Sequence, residues 1–294
     1  MHNTRTENTV FEVIAGCSFV IAALVITALI IRWITAAVPL FEQMVIPSVL
    51  AQGAPRTLVA VFAHADDEGS AAPILARYAR EGVQVYLVIA TDGAQGASHT
   101  TIPPGAELAH ARSEEARCAT DALGIHPPIL LGFPDAQLGS YLEDRMRLQH
   151  LTTRVVGELQ RLKPDALITW GPDGGSGHPD HRLVSSVVTQ LVRAGAPGAP
   201  QRLYYVSLPE EAVRALNAGS GEPTYLAPSP KYVTTHIAFS PADFDASRRS
   251  MACHKTQYSE DAVKQVSEAT RDALKGKLPL SPWLPASATN DLFK

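Results

Sequence analysis

A group of ionisable side chains follows directly after an apolar run near residue 60. The stretch reads VAVFAHADDEGSAAP over residues 59–73, and its ionisable residues are His64, Asp66, Asp67 and Glu68. Burying such groups at the edge of a core costs free energy unless something pairs them. The two usual pairings are a metal ion and a catalytic hydrogen-bond network. The stretch therefore predicts a chemical site at the end of a buried strand.

A second cluster supplies further imidazoles, in the motif HPDH that begins at His178 and ends at His181. His64 and Asp67 stand in an HxxD spacing. Either later histidine could complete a site of two histidines and one carboxylate with an open position for water, which is the pattern of catalytic zinc. The alternative interpretation is that Asp66 and Asp67 cap the helix that follows and that the histidines are ordinary surface residues.

Apolar, β-rich runs alternate with stretches that are compatible with helices. The runs occupy 57–63, 83–90, 128–131, 165–170 and 202–206, and the helical stretches lie at about 70–81, 105–123, 142–162 and 180–194. Further strands are predicted at 223–227 and 232–239, with a helix at about 241–268. The alternation predicts an α/β fold, Rossmann-like with three α/β/α layers and a mainly parallel sheet.

Ligands of such folds bind outside the carboxyl ends of the parallel strands. The first cluster follows the first predicted strand, and GPDGGSGHPDH, residues 171–181, follows the fourth. TDGAQG and GFPD follow the second and third strands. Because all of these ends share one rim, the metal-site interpretation is favoured over the helix-cap interpretation.

Taken in order, these motifs resemble the LmbE-like family, also called the PIG-L deacetylases, from about Thr57 to Tyr258. The matching stretches are AHADDE at 63–68 (AHPDDE in the family), TDG at 91–93, RSEEARCATDALGI at 112–125, LGFPD at 131–135 and GHPDH at 177–181. Members of the family are zinc enzymes that remove N-acetyl groups from glucosamine-containing substrates. The resemblance implies the same fold and activity here.

Carried over position by position, the resemblance implies three zinc ligands: His64, Asp67 and His181. It implies that Asp66 is the general base and that His178 assists the transition state. Arg112 and Asp135 match positions that contact the sugar or shape its pocket.

The sequence also departs from the family pattern near these motifs, and TDGAQG lacks the glutamate that many members carry after the glycine. Ala65 replaces the usual proline, which removes no functional group. Ser176 lies two residues before His178, where some members have a tyrosine that helps to hold the oxyanion. Ser176 is therefore a candidate substrate contact.

Amide hydrolysis needs an activated water, a polarised carbonyl and a proton for the leaving nitrogen. Zinc supplies the first two by lowering the pKa of bound water toward about 7 and by acting as a Lewis acid, and iron(II) is the alternative ion. Asp66 can take the proton of the water, and a protonated His178 with Asp180 nearby can stabilise the oxyanion. Either Asp66 or His178 could protonate the nitrogen. Asp92 either contacts the substrate or orders its own turn.

Composition excludes several other functions. The chain has 25 Lys+Arg against 29 Asp+Glu and no basic run, which argues against a nucleic-acid partner. Its glycine-rich stretches fit neither GxGxxG nor GxxxxGK[ST], which argues against a nucleotide. Ser70 and Ser176 lack a nucleophile elbow, so a serine hydrolase is disfavoured. Cys17, Cys118 and Cys253 are odd in number and lack CxxC spacing, so they imply neither a disulfide framework nor a cysteine metal site.

An uncharged apolar run, VIAGCSFVIAALVITALII, extends from Val13 to Ile31. Its length is close to the ~20 residues that span a bilayer. We predict one N-terminal transmembrane helix, with Arg32 and Trp33 as an interfacial anchor; a cleaved signal peptide is the weaker alternative. The flanking charges do not decide the orientation.

The predicted boundaries are an N-terminal flank at 1–12, the transmembrane helix at 13–36, a juxtamembrane linker at 37–56, the deacetylase domain at 57–270 and a C-terminal tail at 271–294. The sequence thus predicts a membrane-anchored, zinc-dependent deacetylase of an amino-sugar conjugate, such as a derivative of N-acetylglucosamine, free or lipid-linked. The alternatives are a catalytically impaired carbohydrate-binding protein of the same fold and an amidase on a non-acetyl glucosamine conjugate. Retention of the base and of all the implied ligands favours the enzyme.

Overall fold

In the computed structural model, which describes residues 55–217, 226–284 and 288–294, strand β1 (Thr57–Phe62) lies inside a seven-stranded sheet. The other strands are β2 (Gln84–Thr91), β3 (Ile129–Phe133), β4 (Ala166–Thr169), β5 (Leu203–Val206), β6 (Thr235–Ala238) and β7 (Lys277–Pro282). Their order across the sheet is β3-β2-β1-β4-β5-β7-β6. The first five are parallel, and β7 runs antiparallel to β5 and β6. The predicted α/β class with a mainly parallel sheet is confirmed. The sheet is mixed, because β7 is antiparallel to both of its neighbours.

The helices of the described residues connect these strands. They are α1 (Ala72–Arg80), α2 (Ala106–Leu123), α3 (Arg145–Leu162), α4 (Pro179–Arg193), α5 (Glu210–Asn217), α6 (Pro241–Cys253) and α7 (Glu260–Leu274). Several begin at a side-chain cap, as sequence rules favour. Asp144 caps α3, and Ser240 forms a reciprocal capping box with Asp243 at the start of α6.

The C-terminal third differs most from the sequence prediction. The single helix expected at 241–268 is two helices, because the chain leaves α6 at His254 and Ser259 caps the start of α7. The segment expected as a tail, 271–294, holds the end of α7 and strand β7. Of the strand expected at 223–227, residues 223–225 lie outside the described residues, and 226–227 are not in a strand.

Helices cover both faces of the sheet. On one face, Val59 and Val61 of β1 share a buried cluster with Val155 of α3 and Val184 of α4. Leu58, on an alternate position of β1, is equally buried, and helices α1, α2 and α6 pack against one another. Burial on both faces explains why the central strands read as continuous apolar runs.

The strand order reverses beside β1, which pairs with β2 on one side and β4 on the other. The chain builds β2 and β3 outward from β1 and then returns to build β4 and β5 on the opposite side. In open α/β sheets, such a switch point opens a crevice at the carboxyl ends of the two strands. Here those ends lead directly into His64 and Trp170.

The predicted transmembrane segment, 13–36, lies outside the described residues, as do the flank at 1–12 and most of the linker at 37–56. Among the helices that are described, none combines the length and the apolar character that crossing a bilayer requires.

A disulfide joins Cys118 of α2 to Cys253 at the end of α6. The number and spacing of the cysteines implied no disulfide framework, and this expectation is corrected. The two cysteines are 135 residues apart and become neighbours only because α2 packs against α6, with a Cα–Cα distance of 5.7 Å. Such a pairing depends on tertiary packing, which cysteine spacing does not report.

Asp243 is expected to stabilise the fold in a pH-dependent way. Its carboxylate is 2% exposed, accepts two hydrogen bonds from Arg80 (2.8 and 3.0 Å) and accepts the Ser240 hydroxyl (2.7 Å). Burial opposes ionisation, but these donors outweigh it and lower the pKa of Asp243. A carboxylate whose pKa is lowered by folding contributes its full stabilisation of the fold at pH values above its unfolded-state pKa of about 4. That contribution to the free energy of unfolding is lost as the pH falls through the folded-state pKa.

We therefore expect Asp243→Asn to lower the free energy of unfolding by about 1–2 kcal/mol at pH 7 and by less toward pH 3. Urea unfolding of both proteins at the two pH values measures the difference. The control is Asp245→Asn, an exposed carboxylate of the same helix that lies 3.6 Å from Arg248, which should change little. An equal deficit for Asp243→Asn at both pH values would rule out the ionic contribution.

Candidate active site

Asp67 turns its side chain back onto the end of β1 instead of onto the following helix. Its Oδ2 accepts hydrogen bonds from the backbone N–H of Ala63 (3.0 Å) and of His64 (2.9 Å), and from Nε1 of Trp170 (3.2 Å). Asp66, which precedes the short 3₁₀ turn Asp67–Ser70, makes no capping hydrogen bond with its side chain to the described turn. The two carboxylates therefore do not act as helix caps, and Oδ1 of Asp67 faces the site.

Two histidines meet that carboxylate. Nδ1 of His64 lies 3.0 Å from Nε2 of His181, which lies 3.1 Å from Oδ1 of Asp67. The first turn of α4 carries His181, and its ring stacks on Trp170 with a centroid separation of 4.9 Å. Its Nδ1 donates to the carbonyl of Gly174 (2.9 Å), an arrangement that leaves the lone pair of Nε2 directed at the cluster. Burial opposes the charge on Asp67, but His181 and His64 lower its pKa far below the ordinary value.

The opposite ring nitrogen of His64 faces a different pair of carboxylates. Nε2 lies 3.1 Å from Oδ1 of Asp135 and 3.4 Å from Oδ2 of Asp180. Burial alone would lower the pKa of His64, but hydrogen bonds to Asp135 and Asp180 and the charge of Asp67 raise it to about 10. The same hydrogen bond to His64 helps to lower the pKa of Asp135 to about 2 against the effect of burial.

These contacts offer more than one grouping that could hold a metal ion. The ligand-type atoms of His64, Asp135 and Asp180 lie within 4.8 Å of one another, as do those of His64, His178 and His181. In the grouping implied by the sequence, Nε2 of His181 lies 3.0 Å from Nδ1 of His64 and 3.1 Å from Oδ1 of Asp67, and Oδ2 of Asp67 lies 3.7 Å from Nδ1 of His64.

The donor chemistry favours the grouping that contains Asp67. It combines two imidazole nitrogens with one carboxylate oxygen, as catalytic zinc sites do. Asp135 and Asp180 lie on the opposite side of His64, at Nε2, and their other oxygens accept the backbone amides of Gln95 and Leu138 at 2.9 Å each. Carboxylates placed in this way commonly hold the second nitrogen of a ligating histidine and fix its tautomer. The described residues therefore fit a divalent metal on the Nδ1 side of His64.

Asp66 lies beside this cluster and is paired with a buried cation. Its Oδ1 lies 3.2 Å from Nη2 of Arg112, which also donates to the carbonyl of Ala65. The Asp66 side chain is 20% exposed, whereas that of Arg112 is 4% exposed. Burial raises the pKa of Asp66 to about 6, and Arg112 opposes the rise. A carboxylate of this kind can both take and return a proton near neutral pH.

His178 forms the opposite wall of the cluster. Its ring centroid lies 4.8 Å from that of His64 and 4.9 Å from that of His181. Its Nδ1 accepts the backbone N–H of Asp180 (3.2 Å), which caps α4. Burial and the two neighbouring histidines lower the pKa of His178. In the neutral ring, the proton therefore lies on Nε2 and is available to a bound oxygen.

Sequence comparison identifies the family to which this site belongs. The profile described as "PIG-L: GlcNAc-PI de-N-acetylase" matches residues 59–192, from β1 to the end of α4. The 1D-myo-inositol 2-acetamido-2-deoxy-alpha-D-glucopyranoside deacetylase 2 of Catenulispora acidiphila is 30% identical over 244 residues, which cover 69% of this chain and 80% of that one. The chain belongs to the PIG-L deacetylase family.

Further comparisons agree with membership of the PIG-L family. A deacetylase with the same substrate name from Corynebacterium urealyticum is 28% identical over 241 residues, which cover 69% of this chain and 71% of the relative. Among solved structures, the N,N'-diacetylchitobiose deacetylase of Pyrococcus horikoshii superimposes with a TM-score of 0.56 at 17% identity. That alignment covers 77% of this chain and 83% of the other and supports the shared fold.

Of the remaining residues expected at this PIG-L site, Asp92 and Asp180 have structural partners. Oδ1 of Asp92 accepts the N–H of Ala94 (3.0 Å) and of Asp135 (3.2 Å), so it orders its own turn and the next loop. Asp180 contacts His178 through its backbone, while its carboxylate faces His64 and the Leu138 amide. Ser176 lies partly buried in the short turn Gly174–Gly177 that leads to His178.

Sequence reasoning missed two contributors to the site. Trp170 both hydrogen-bonds to Asp67 and stacks on His181. Its position directly after β4, at the rim of the sheet, is the sequence feature from which a role at the site could have been inferred. Glu68, one of the four ionisable residues that follow the first apolar run, is buried against His254 and Ser250. No local pattern pointed to these partners, which lie more than 180 residues away.

Proposed function

We propose that the chain is a metal-dependent hydrolase that removes the N-acetyl group from an amino-sugar conjugate. The observation that carries this proposal is the Asp66 carboxylate beside a cluster of two histidines and one carboxylate at the switch point of the sheet. The named activities of the relatives, deacetylases of an N-acetylglucosaminyl inositol, support the same substrate class.

His64, Asp67 and His181 would hold the metal, which we propose to be Zn²⁺ with Fe²⁺ as the alternative. When bound, such an ion supplies Lewis acidity and lowers the pKa of a coordinated water. The hydrogen bonds that orient these ligands come from the chain itself: Gly174 holds the ring of His181, and Asp135 and Asp180 hold that of His64.

Asp66 takes the proton of the attacking water and can return it to the leaving nitrogen. Its neighbour in the chain, Asp67, is a proposed ligand, so the Asp66 carboxylate would lie near a water held by the metal without itself being a ligand. Arg112 limits the rise of the Asp66 pKa and holds the carboxylate in place. The reaction adds one water to the amide: its oxygen is retained in acetate, and the leaving nitrogen takes up a proton to become the free amine.

His178 faces the same space from the start of α4. The proton on its Nε2 can be donated to the carbonyl oxygen as negative charge develops there. Ser176, two residues earlier, is the candidate contact for the substrate on this side. Arg112 and Asp135 were expected to contact the sugar. In the structure, Arg112 pairs with Asp66 and Asp135 pairs with His64.

An assay of acetate release tests the proposal. The substrate panel would contain N-acetylglucosamine, N,N'-diacetylchitobiose, N-acetylglucosaminyl inositol and the same glycosides with longer N-acyl groups. We expect equal amounts of acetate and free amine from at least one N-acetyl glycoside, loss of release with a chelator, and recovery with Zn²⁺. Binding without release would favour the impaired carbohydrate-binding protein, and preference for a longer acyl group would favour the alternative amidase.

We also propose that residues 13–31 anchor the chain in a membrane and that the catalytic domain lies on its oxidising side. The apolar run supports the anchor. The Cys118–Cys253 disulfide supports the oxidising side, because such bonds persist mainly outside the reducing cytosol. A lipid-linked substrate would fit this placement.

Thiol counting in protein alkylated during denaturing lysis checks the compartment. When the protein is unfolded during alkylation, so that the buried Cys253 is accessible, we expect Cys118 and Cys253 to stay blocked until a reductant is added. In Cys118→Ser, Cys253 should be alkylated without reductant. Full alkylation of both cysteines in the wild-type chain before reduction would place the domain in a reducing compartment.

A further inference from the structure

Asp66, the general base proposed above, has an unusual backbone conformation. Asp66 has φ +99° and ψ −22°, in the left-handed region that residues other than glycine rarely adopt. A conformation of this kind is strained and persists only where neighbouring groups hold it. Arg112 fixes the end of the Asp66 side chain through one contact of 3.2 Å, which leaves the peptide itself to be held by something else.

Glu68 supplies that second contact. Its Oε2 accepts the backbone N–H of Asp66 at 2.9 Å, two residues earlier in the chain. The Glu68 side chain is 1% exposed, and a buried carboxylate is costly unless its oxygens are satisfied. Its other oxygen, Oε1, accepts the hydroxyl of Ser250 (3.1 Å) and Nε2 of His254 (2.7 Å). Glu68 therefore connects the peptide of the base to the end of α6.

The end of α6 is itself fixed on the helix that carries Arg112. His254 is 1% exposed and follows Cys253, which is bonded to Cys118 of α2. The contact on the Asp66 side chain and the contact on its peptide thus rest on two helices that a covalent bond joins.

We propose that Glu68 and His254 are positioning residues for the reaction, which hold the Asp66 peptide in its left-handed conformation and so keep its carboxylate directed at the reacting water. This inference rests on the proposed function, because it assigns them a role in the same step. Neither side chain touches the substrate space; both act through the Asp66 N–H. Without them, residue 66 can relax to a negative φ, and its carboxylate leaves the site.

The kinetic test compares Glu68→Ala with Glu68→Gln. The amide oxygen of glutamine can still accept the Asp66 N–H, whereas alanine leaves that donor unpaired. We expect Glu68→Ala to lower kcat about 10–100-fold, with KM and metal content near those of the wild type. Glu68→Gln should recover most of the loss. The control is Glu115→Ala, which also removes a buried acceptor of the 250–257 segment but has no contact with Asp66, and its kcat should stay within about threefold.

Hydrogen exchange gives a readout that does not depend on turnover. In a peptide that covers residues 62–69, the Asp66 amide should exchange faster in Glu68→Ala than in the wild type and in Glu115→Ala. If Glu68→Ala does not fold, His254→Leu and His254→Gln replace it, since leucine cannot donate to Glu68 and glutamine can. The leucine variant should then show the same loss of kcat and faster exchange, and the glutamine variant should recover both.

A folded, metal-loaded Glu68→Ala with nearly wild-type kcat and unchanged exchange would overturn the positioning role. So would an equal loss of kcat in Glu115→Ala, which would trace the effect to general loosening of the segment. A wild-type protein that releases no acetate would defeat the proposed function instead, while the exchange result would still decide whether Glu68 holds the Asp66 peptide.

Discussion

Replacing Asp66 by asparagine is expected to lower kcat by about 10²–10⁴-fold while the protein keeps its fold and its metal. The amide is nearly isosteric with the carboxylate and can still accept the Arg112 donor, which lies 3.2 Å from Oδ1. It cannot accept the proton of the attacking water. Because Asp66 is not one of the proposed ligands, the loss should appear in kcat and not in metal stoichiometry.

Steady-state acetate release and metal analysis of the purified variant measure this effect. Asp121→Asn makes the same chemical change at an exposed position of α2 and should turn over like the wild type. Nearly normal turnover of a metal-loaded Asp66→Asn protein would move the general base elsewhere, and Asp180 would be the next candidate. Loss of metal together with activity would instead make Asp66 a ligand.

Replacing His181 by alanine is expected to weaken metal binding by more than about 100-fold, because it removes a ligand of the grouping that contains Asp67. Asp135→Asn should weaken binding by no more than about 10–100-fold, since Asp135 would then act only on the far nitrogen of His64. The two variants distinguish the groupings that contain His181 from the grouping of His64, Asp135 and Asp180, whereas His64→Ala should abolish binding in any of them.

Isothermal titration of the metal-free proteins with Zn²⁺ gives both affinities, and circular dichroism controls for folding. His178→Ala is the matched control, a histidine of the same cluster that would remain outside the ligand set and should bind zinc nearly as the wild type does. The reverse ranking, with Asp135→Asn unable to bind and His181→Ala binding normally, would place the ion among His64, Asp135 and Asp180.

The parallel strands and the rim they share could be predicted from the sequence because both follow from local composition. A strand buried on both faces must be apolar throughout, and polar residues at its carboxyl end then mark the crevice. The motifs around His64 and His181 lie at such ends, and the structure brings them within 3.0 Å of each other.

Other features could not be predicted, because they depend on packing between distant segments. Strand β7 contains Pro279 and Pro282, which lack the N–H of a ladder and therefore read as a tail, yet it lies between β5 and β6. The carboxylate of Asp180, at the start of α4, suggested a catalytic partner for His178. In the structure this carboxylate accepts a hydrogen bond from the backbone N–H of Leu138, which lies 42 residues earlier in the chain.

The central claim, metal-dependent N-deacetylation at the Asp66 site, is tested most directly by titrating the metal-free protein with Zn²⁺ while acetate release from an N-acetylglucosamine conjugate is followed. Release is expected to be absent at the start and to rise in proportion to bound zinc until each chain holds one ion. Release that is as fast before zinc is added as afterwards, or its absence in the fully loaded protein with every conjugate tried, would contradict the claim.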